Sequence, residues 1–596
     1  MLLGLDLLGG APLGSLPGVY VPPEPVVVGG SNAIVWTTRV VVDGVDWSVR
    51  ITGEVSVDAE EGAARVAQFT LCLPSGPVLP LEWRRRSVSI DYLDNLGESH
   101  LFTGRIVDPV WNRTDRTLAC TCSDQLQDVV EAMSLAQVAA LTGGLWAEDI
   151  FGPLEGISHW DYAQQRMSTR TASLECDAYG VPRITSWYTK ATADYVFGAD
   201  TTVYDSVTVG FSEDVRQTNR VVIEADYRFS RLWQQNQSYG WMHPETGGLS
   251  GEGGFCAWFV DSTELPTVGM VVDACSNAGQ QLLGGGSFYY TLPSGIWCDP
   301  PIGWVNGFTD QLLGFSLNVG RRWVQPVTEK YTLEVRADAA IAAYGETVQR
   351  DSAAIDVESE RAERWESAPF GVRTAADPVG GIGNTVQSSE GGGGVPGRPE
   401  DNGVHGFEDL RDEARRELGL QVLLAQANAS IIGEHRDTTV TWDVPAGWVH
   451  GIDLRHTARA EDQGVLTQGK IQQLQWKLDH EGGAAICSVS IALMRGGGDV
   501  SDPLTPPPGI ITPPPDPPGE TPGGLPTQIG GRGEVYDDEA DGFSGNWSVG
   551  DGMSEQFPRR FQVTAGEVPA DQRDEQQASI EATYRVVIPN DLLELT

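Results

Sequence analysis

A chain of 596 residues with 40% hydrophobic and 8% aromatic content is too long for one core and too apolar for wholesale disorder, so about three to five domains are expected. Its 82 acidic residues against 40 basic ones, a formal net charge of −42, exclude a protein that grips nucleic acid, because neutralising phosphates takes clustered Lys and Arg. With 71 glycines and 36 prolines the chain is turn-rich, which points to a mainly β class with α+β insertions.

Residues 1–33 form an N-terminal arm. Its opening run Met1-Leu-Leu-Gly-Leu-Asp-Leu-Leu8 is apolar but has no basic flank, and Gly, Pro and Asp6 interrupt it, so it is expected to dock on a neighbouring subunit or fray. No apolar run reaches the length of a spanning helix, and stable membrane insertion is not expected. Residues 34–123 alternate with period two through Trp47–Ile51, Ala67–Leu73, Val88–Tyr92, Leu101–Val107 and Leu118–Cys122, the pattern of a small β-barrel. Residues 124–215 read as an α+β domain. Gln125–Leu141 has helical spacing, with Ser123 or Asp124 as N-cap and Gly143-Gly144 as the stop.

A mixed domain, 216–345, follows, with strands expected at Asn219–Phe229 and Thr328–Val335 that add to the core of the strand blocks. It also carries helices near 265–283 and 338–344. Residues 346–433 combine an acidic, Gly-rich loop at 375–403 with a helix whose stripe is Leu410, Ala414, Leu418, Val422, Ala425 and Ala429, weakened by Gly419 in its middle. A second strand block, 434–500, completes another barrel. Between Pro503 and Pro526 stand eleven prolines, so 501–528 is expected to be a semi-rigid spacer of at most about 75 Å. Residues 529–596 then form a small tethered C-terminal module.

Candidate chemistry is sparse. The eight cysteines show no metal-ligand spacing, and Cys120 and Cys122 lie two apart in a strand, facing one way, where they cannot bridge each other. Glu60-Glu61 and Asp537-Asp538-Glu539 read as solvated loop charges. The eight histidines are scattered without an organising motif, and His435 is read as a structural polar position. The Gly-rich stretches 284–286 and 391–394 lack the Lys-Ser/Thr that a phosphate loop requires. Asp537, Glu539, Asp541 and Gly542 follow the first half of a calcium loop, but Ser548 holds the twelfth position, where a bidentate carboxylate belongs. No catalytic residue, metal or cofactor is expected. The 18 tryptophans sit mostly in strand-like runs, where burial is the expected fate.

Several segments, in chain order, resemble the hub proteins of bacteriophage tail tips and baseplates. They are Val42-Asp-Gly-Val-Asp46, Glu60–Leu71, Trp83 before Val88-Ser-Ile, Leu101–Asp108, Leu118–Asp124, Arg216–Ile223 with Tyr227-Arg-Phe, Trp323–Leu333, His435–Trp442, Gly469–Asp479 and Cys487–Leu493. The resemblance covers about 34–495 and implies two hub-type β-barrels per subunit. It further implies a homotrimer whose six barrels seat on the sixfold tail tube, with threefold symmetry toward a central fibre or tip protein. Implied partners are distal tail and tube proteins, with the tape measure protein; the C-terminal module lies outside the resemblance, and side fibres are expected to attach there. DNA would pass the lumen without specific binding, past acidic walls that repel it. The implied location is the virion tail tip, after synthesis in the host cytoplasm. Two other classes stand beside this one: a tail-associated cell-wall hydrolase and a glycan-binding adhesion module.

Overall fold

The computed structural model describes residues 26–29, 34–198, 201–211, 217–242, 268–277, 279–282, 288–291, 312–367, 405–510, 568 and 570–596. The calcium candidates Asp537, Glu539 and Asp541, the loop 375–403, Gly284–Gly286 and the chain before Val26 lie outside these residues.

Alternation in the first block yields β1 (Val26–Val28), β2 (Trp36–Val42), β3 (Val45–Asp46), β4 (Ile51–Glu60), β5 (Val66–Cys72), β6 (Ser87–Asp94), β7 (Glu98–Asn112) and β8 (Thr117–Ser123). In β5 the two-residue period buries Ala67, Phe69 and Leu71, and in β8 it buries Leu118, Cys120 and Cys122. The strand expected over Trp47–Ile51 is instead a 3-10 turn at Ser48–Arg50. Asp46 accepts from the Ser48 N–H at 2.8 Å, and the Ser48 hydroxyl accepts from the Val40 N–H at 3.0 Å, which bends the chain back on itself.

The one helix expected over 125–141 is two, Leu126–Ala132 and Leu135–Thr142. Ser134 starts the second in a capping box with Gln137, and Gly143, at φ 60°, ends it. A helix at His159–Met167 and the hairpin β9 (Ala172–Cys176) and β10 (Pro182–Ser186) complete a small separate core around Val130, Val138 and Leu174. Short strands β11 (Tyr195–Phe197) and β12 (Thr208–Phe211) follow.

The next strands are β13 (Arg220–Met242), β14 (Gln281–Leu282), β15 (Phe288–Thr291), β16 (Leu312–Arg336), β17 (Val348–Asp356) and β18 (His405–Asp409), with helices at Val268–Asn277 and Asp338–Tyr344. They build a sheet of their own, with its own core, instead of adding to the core of the strand blocks. β13 and β16 pair antiparallel from Arg220↔Arg336 to Met242↔Gly314, and β17 runs parallel to β13. The helix Glu413–Glu434 lies on one face, its Leu420, Leu424 and Ile431 packed with Val221, Ile223, Leu333 and Val335. Gly419 is where helix and sheet come closest: an added Cβ would stand 2.6 Å from Ile355 Cδ1.

The last block gives β19 (Thr438–Pro445), β20 (Thr457–Asp462), β21 (Val465–Asp479) and β22 (Ala484–Leu493), and the C-terminal segment gives β23 (Gln576–Arg585) and β24 (Leu592–Leu595). A continuous path runs β3-β2-β6-β7-β8-β5-β4-β21-β22-β19-β12, with β20, β11 and β1 branching from β21. The two strand blocks therefore share one sheet and one core; among the described residues neither closes as a barrel by itself. The cause is β21, which pairs with β20 and β24 through its first half and with β22 and β4 through its second. A bulge between Ile471 and Gln473 bends it from one block into the other. Beside β2 the open edge is spanned by side chains: the Trp36 indole donates to the Gly483 carbonyl at 3.2 Å and packs on His480.

The C-terminal segment corrects two expectations. β23 pairs parallel with β16 over Val327–Arg336 and β24 pairs with β21, so 570–596 belongs to the body and is no tethered module. The Pro-rich stretch is docked at its start. Tyr584 donates to the Thr505 carbonyl at 2.8 Å, Arg416 donates to the Pro507 carbonyl at 3.0 Å, and Leu504 and Ile510 pack on the second core. Proline cannot donate hydrogen bonds, but its carbonyls accept them, and these arginine and tyrosine donors hold the segment down.

Candidate functional site

Where β21 passes between the blocks, six segments distant in sequence bring buried charges together. The turn between β4 and β5 supplies Glu61 and Arg65, Asp124 follows the end of β8, β9 and β10 supply Glu175 and Arg183, and the chain before β20 supplies Asp453. Arg436 follows the long helix, and Lys470 sits at the bulge of β21. The two cations Arg65 and Arg183 share Asp453: Arg65 Nη2 donates to Oδ1 at 3.0 Å and Arg183 Nη1 to Oδ2 at 2.5 Å. Arg183 also donates to Glu175 at 2.8 Å, as does the Thr185 hydroxyl at 2.7 Å. Arg436 pairs with Glu61 at 2.6 Å and lies over the Trp187 ring, while Lys470 Nζ donates to the Ile471 and Leu454 carbonyls and stands 3.9 Å from Glu61. Backbone bonds tie Arg65 to Asp124, whose carboxylate accepts the Arg65 N–H at 2.8 Å.

The electrostatics follow from burial. Burial pushes the Glu175 and Asp124 carboxyls above their usual range, ahead of the hydrogen bonds that oppose it. Burial also acts on Asp453, but the Arg183 and Arg65 guanidiniums outweigh it and hold that carboxyl low. Lys470 is lowered to about 8 by burial, against the pull of Glu61 and Glu175. With all groups ionised, Arg65, Arg183, Arg436 and Lys470 balance Glu61, Asp124, Glu175 and Asp453. The set is neutral though not every atom in it is bonded: Glu61 Oε1, Arg65 Nε, Glu175 Oε2 and Arg436 Nε are buried without a hydrogen-bond partner among the described residues, and breaking any pair would strand a further buried charge. Glu61, expected as a solvated loop charge, is 3% exposed here. Its neighbour Glu60 is exposed.

A second constellation joins the blocks at the surface. His450 Nδ1 lies 2.7 Å from Ser99 Oγ, and its Nε2 lies 3.1 Å from the Asp94 carboxylate, which the Leu96 and Gly97 N–H groups also fix. With Nε2–H donating to Asp94, Nδ1 accepts from the serine hydroxyl. Scattered positions in the sequence carry no signal of this meeting, because β6–β7 and the 446–456 connection are separated by some 350 residues. His435 is fully buried, with Nδ1 at 3.0 Å from the Arg495 carbonyl. Among the described residues no group of His, Cys, Asp and Glu is arranged to hold a metal ion, and no helix is long and apolar enough to cross a membrane. A groove of about 1220 Å³ lies between β17, the long helix and the α+β insertion, with Phe151, Trp187, Arg350 and Leu423 on its walls.

Fold and junction define a mainly β protein in which two strand blocks are welded by one bent strand and a buried ionic centre. In structure the chain is similar to the tail protein from Neisseria meningitidis MC58, with 8% identity, a TM-score of 0.34, and 77% of this chain and 96% of that one covered. It is similar also to the 43 kDa tail protein of prophage MuSo2 from Shewanella oneidensis (11% identity, TM-score 0.33, 76% and 98% covered). A third is the prophage tail protein gp18 from Listeria monocytogenes EGD-e (7% identity, TM-score 0.26, 76% and 94% covered). No family model and no curated sequence matches the chain.

Proposed function

We propose that this chain is a structural, non-enzymatic subunit of a bacteriophage tail tip. Three copies form a hub that joins the sixfold tail tube to a threefold tip and leave an axial channel for DNA ejection. The observation that carries the reading is the joint between the blocks. Two strand blocks at opposite ends of the chain form one sheet over one core, fixed by the Arg65–Asp453–Arg183 bridge. A part that transmits load between a tube and a tip needs its two lobes rigid with respect to each other, and a buried ion network supplies that orientation. The net charge of −42 supports a lumen that repels DNA instead of binding it. Tube and distal tail proteins on one face, and a central fibre, tip or tape measure protein on the other, are the proposed partners. Side fibres are the proposed partners of the C-terminal segment 529–596, whose strands β23 and β24 pair with the body.

Electron-microscopy class averages of the purified full-length chain test this: threefold particles with six peripheral lobes and an axial opening are expected, and a monomer overturns the proposal. The Ser99–His450–Asp94 alignment favours one alternative, a tail-associated hydrolase. A peptidoglycan zymogram separates the two: clearing by the wild type that Ser99→Ala abolishes replaces the structural reading, and no clearing is expected.

A further inference from the structure

The long sheet path ends in two unlike surfaces. At the β3 end, the hairpin 43–50 lies beside residues 79–87. The Trp47 and Trp83 rings meet at 5.1 Å, and the Asp43 carboxylate accepts from the Ser87 N–H at 3.0 Å. These two segments present Val45, Val49, Leu79 and Leu81 to solvent, Val49 at 92% and Leu81 at 80% exposure. Around them Arg50, Arg84 and Arg85 are exposed and make no ion pair among the described residues. The acids nearby are already engaged or outnumbered: Asp43 holds Arg86 at 3.6 Å, Asp46 binds Ser48, and Glu82 makes no ion pair among the described residues.

At the β12 end the sheet stops at a strand that, among the described residues, pairs only with β19. There Val203, Tyr204 (92% exposed) and Phe211 face solvent. Asp205, in the left-handed region at φ 60°, is exposed next to Tyr204. The Gln463 amide donates to the Thr202 hydroxyl at 2.6 Å and to the Val203 carbonyl at 3.1 Å, which sets Glu461 and Asp462 at the same rim. Arg459, 3.7 Å from Glu461, is the cation there.

Large aliphatic and aromatic side chains this exposed cost free energy in water, and clusters of them mark interaction sites. Neither surface suits itself: two β3 ends would oppose Arg50, Arg84 and Arg85 to their own copies, and two β12 ends would oppose acids. Each suits the other in both apolarity and charge sign. We propose that the β3 end of one copy docks head to tail on the β12 end of a second copy. Val49, Leu79 and Leu81 then meet Tyr204 and Phe211, and Arg50, Arg84 and Arg85 face Asp205 and Glu461; Asp462 beside them is held by the Thr202 hydroxyl at 2.6 Å. A contact between unlike surfaces propagates around a ring until it closes, in contrast to a twofold contact, which stops at a dimer. The number of copies rests on the hub reading above; the choice of surfaces does not.

Native mass spectrometry and sedimentation of the full-length chain decide it. One variant carries Val49→Asp with Leu81→Asp, and another carries Tyr204→Asp with Phe211→Asp. All four positions are exposed, so far-UV dichroism and melting temperature should stay at wild-type values. Wild type is expected as a closed oligomer and each variant as a monomer, with association weakened about tenfold or more. An equimolar mixture of the two variants keeps one intact contact and is expected to give a dimer and no ring. An oligomer whose mass neither variant changes overturns the assignment and leaves the hub reading standing. Failure of the mixture to dimerise overturns the head-to-tail geometry. A monomeric wild type overturns the hub reading and this assignment with it.

Discussion

Asp453→Asn tests whether the ionic centre is what orients the two strand blocks. The carboxylate is 15% exposed and takes one guanidinium on each oxygen, Arg65 at 3.0 Å and Arg183 at 2.5 Å. Asparagine preserves the shape and one acceptor, but it turns amide N–H groups toward the other guanidinium and leaves two buried cations without their shared anion. Charge-assisted bonds of this kind are each worth about 1.5–3 kcal/mol. Removing one partner of a buried pair costs about 3–5 kcal/mol, so a loss of about 4 kcal/mol is expected. The readout is a urea titration followed by tryptophan fluorescence, since Trp442 and Trp476 are buried in the shared core. Acid supplies the internal control. The folded-state carboxyl is held below its ordinary value of 3.8, so its contribution is complete above that value and disappears as pH falls through the lower folded-state value. Wild type and variant should therefore converge in acid. A difference below about 1 kcal/mol at neutral pH, or one that persists unchanged in strong acid, refutes the reasoning.

Other perturbations follow from the same geometry. Burial lowers Lys470 from 10.5 to about 8, so between these values the unfolded chain holds a proton that the folded one has lost. Its contribution is complete above 10.5 and is lost as pH falls through about 8; the stability of wild type relative to Lys470→Met should rise by about 3 kcal/mol across that window, read as urea midpoints. Gly419→Ala gains roughly 1 kcal/mol of helix propensity but drives a methyl to 2.6 Å from Ile355 Cδ1, so it should destabilise; in an Ile355→Val background, which lacks that carbon and keeps the one at 3.3 Å, the same change should cost less, read as urea midpoints. Ile588→Asp places a carboxylate at a fully buried position of the second core and should cost several kcal/mol, on the order of 3 or more, with faster proteolysis of the whole body. If 570–596 were an independent module, only that segment would become sensitive.

Local chemistry was legible in the sequence because it depends on neighbours along the chain. Period-two runs such as Ala67–Leu73 and Leu118–Cys122 became β5 and β8, and the stripe from Leu410 became the helix Glu413–Glu434. Two failures were local as well: Asp46 and Ser48 outcompeted strand pairing after β3, and Ser134 split a helix whose hydrophobic spacing ran straight through it. What the pattern of residues could not determine was which strands pair, since pairing is a matter of contacts between positions hundreds of residues apart. The pairing of β21 with β4 put the two strand blocks in one sheet, and β23 joined β16 across more than 240 residues. The meeting of Glu61, Arg65, Arg183, Asp453 and Lys470 has the same origin. In sequence each is an ordinary surface-type residue, and only folding, by removing water from all of them at once, makes their charges depend on one another.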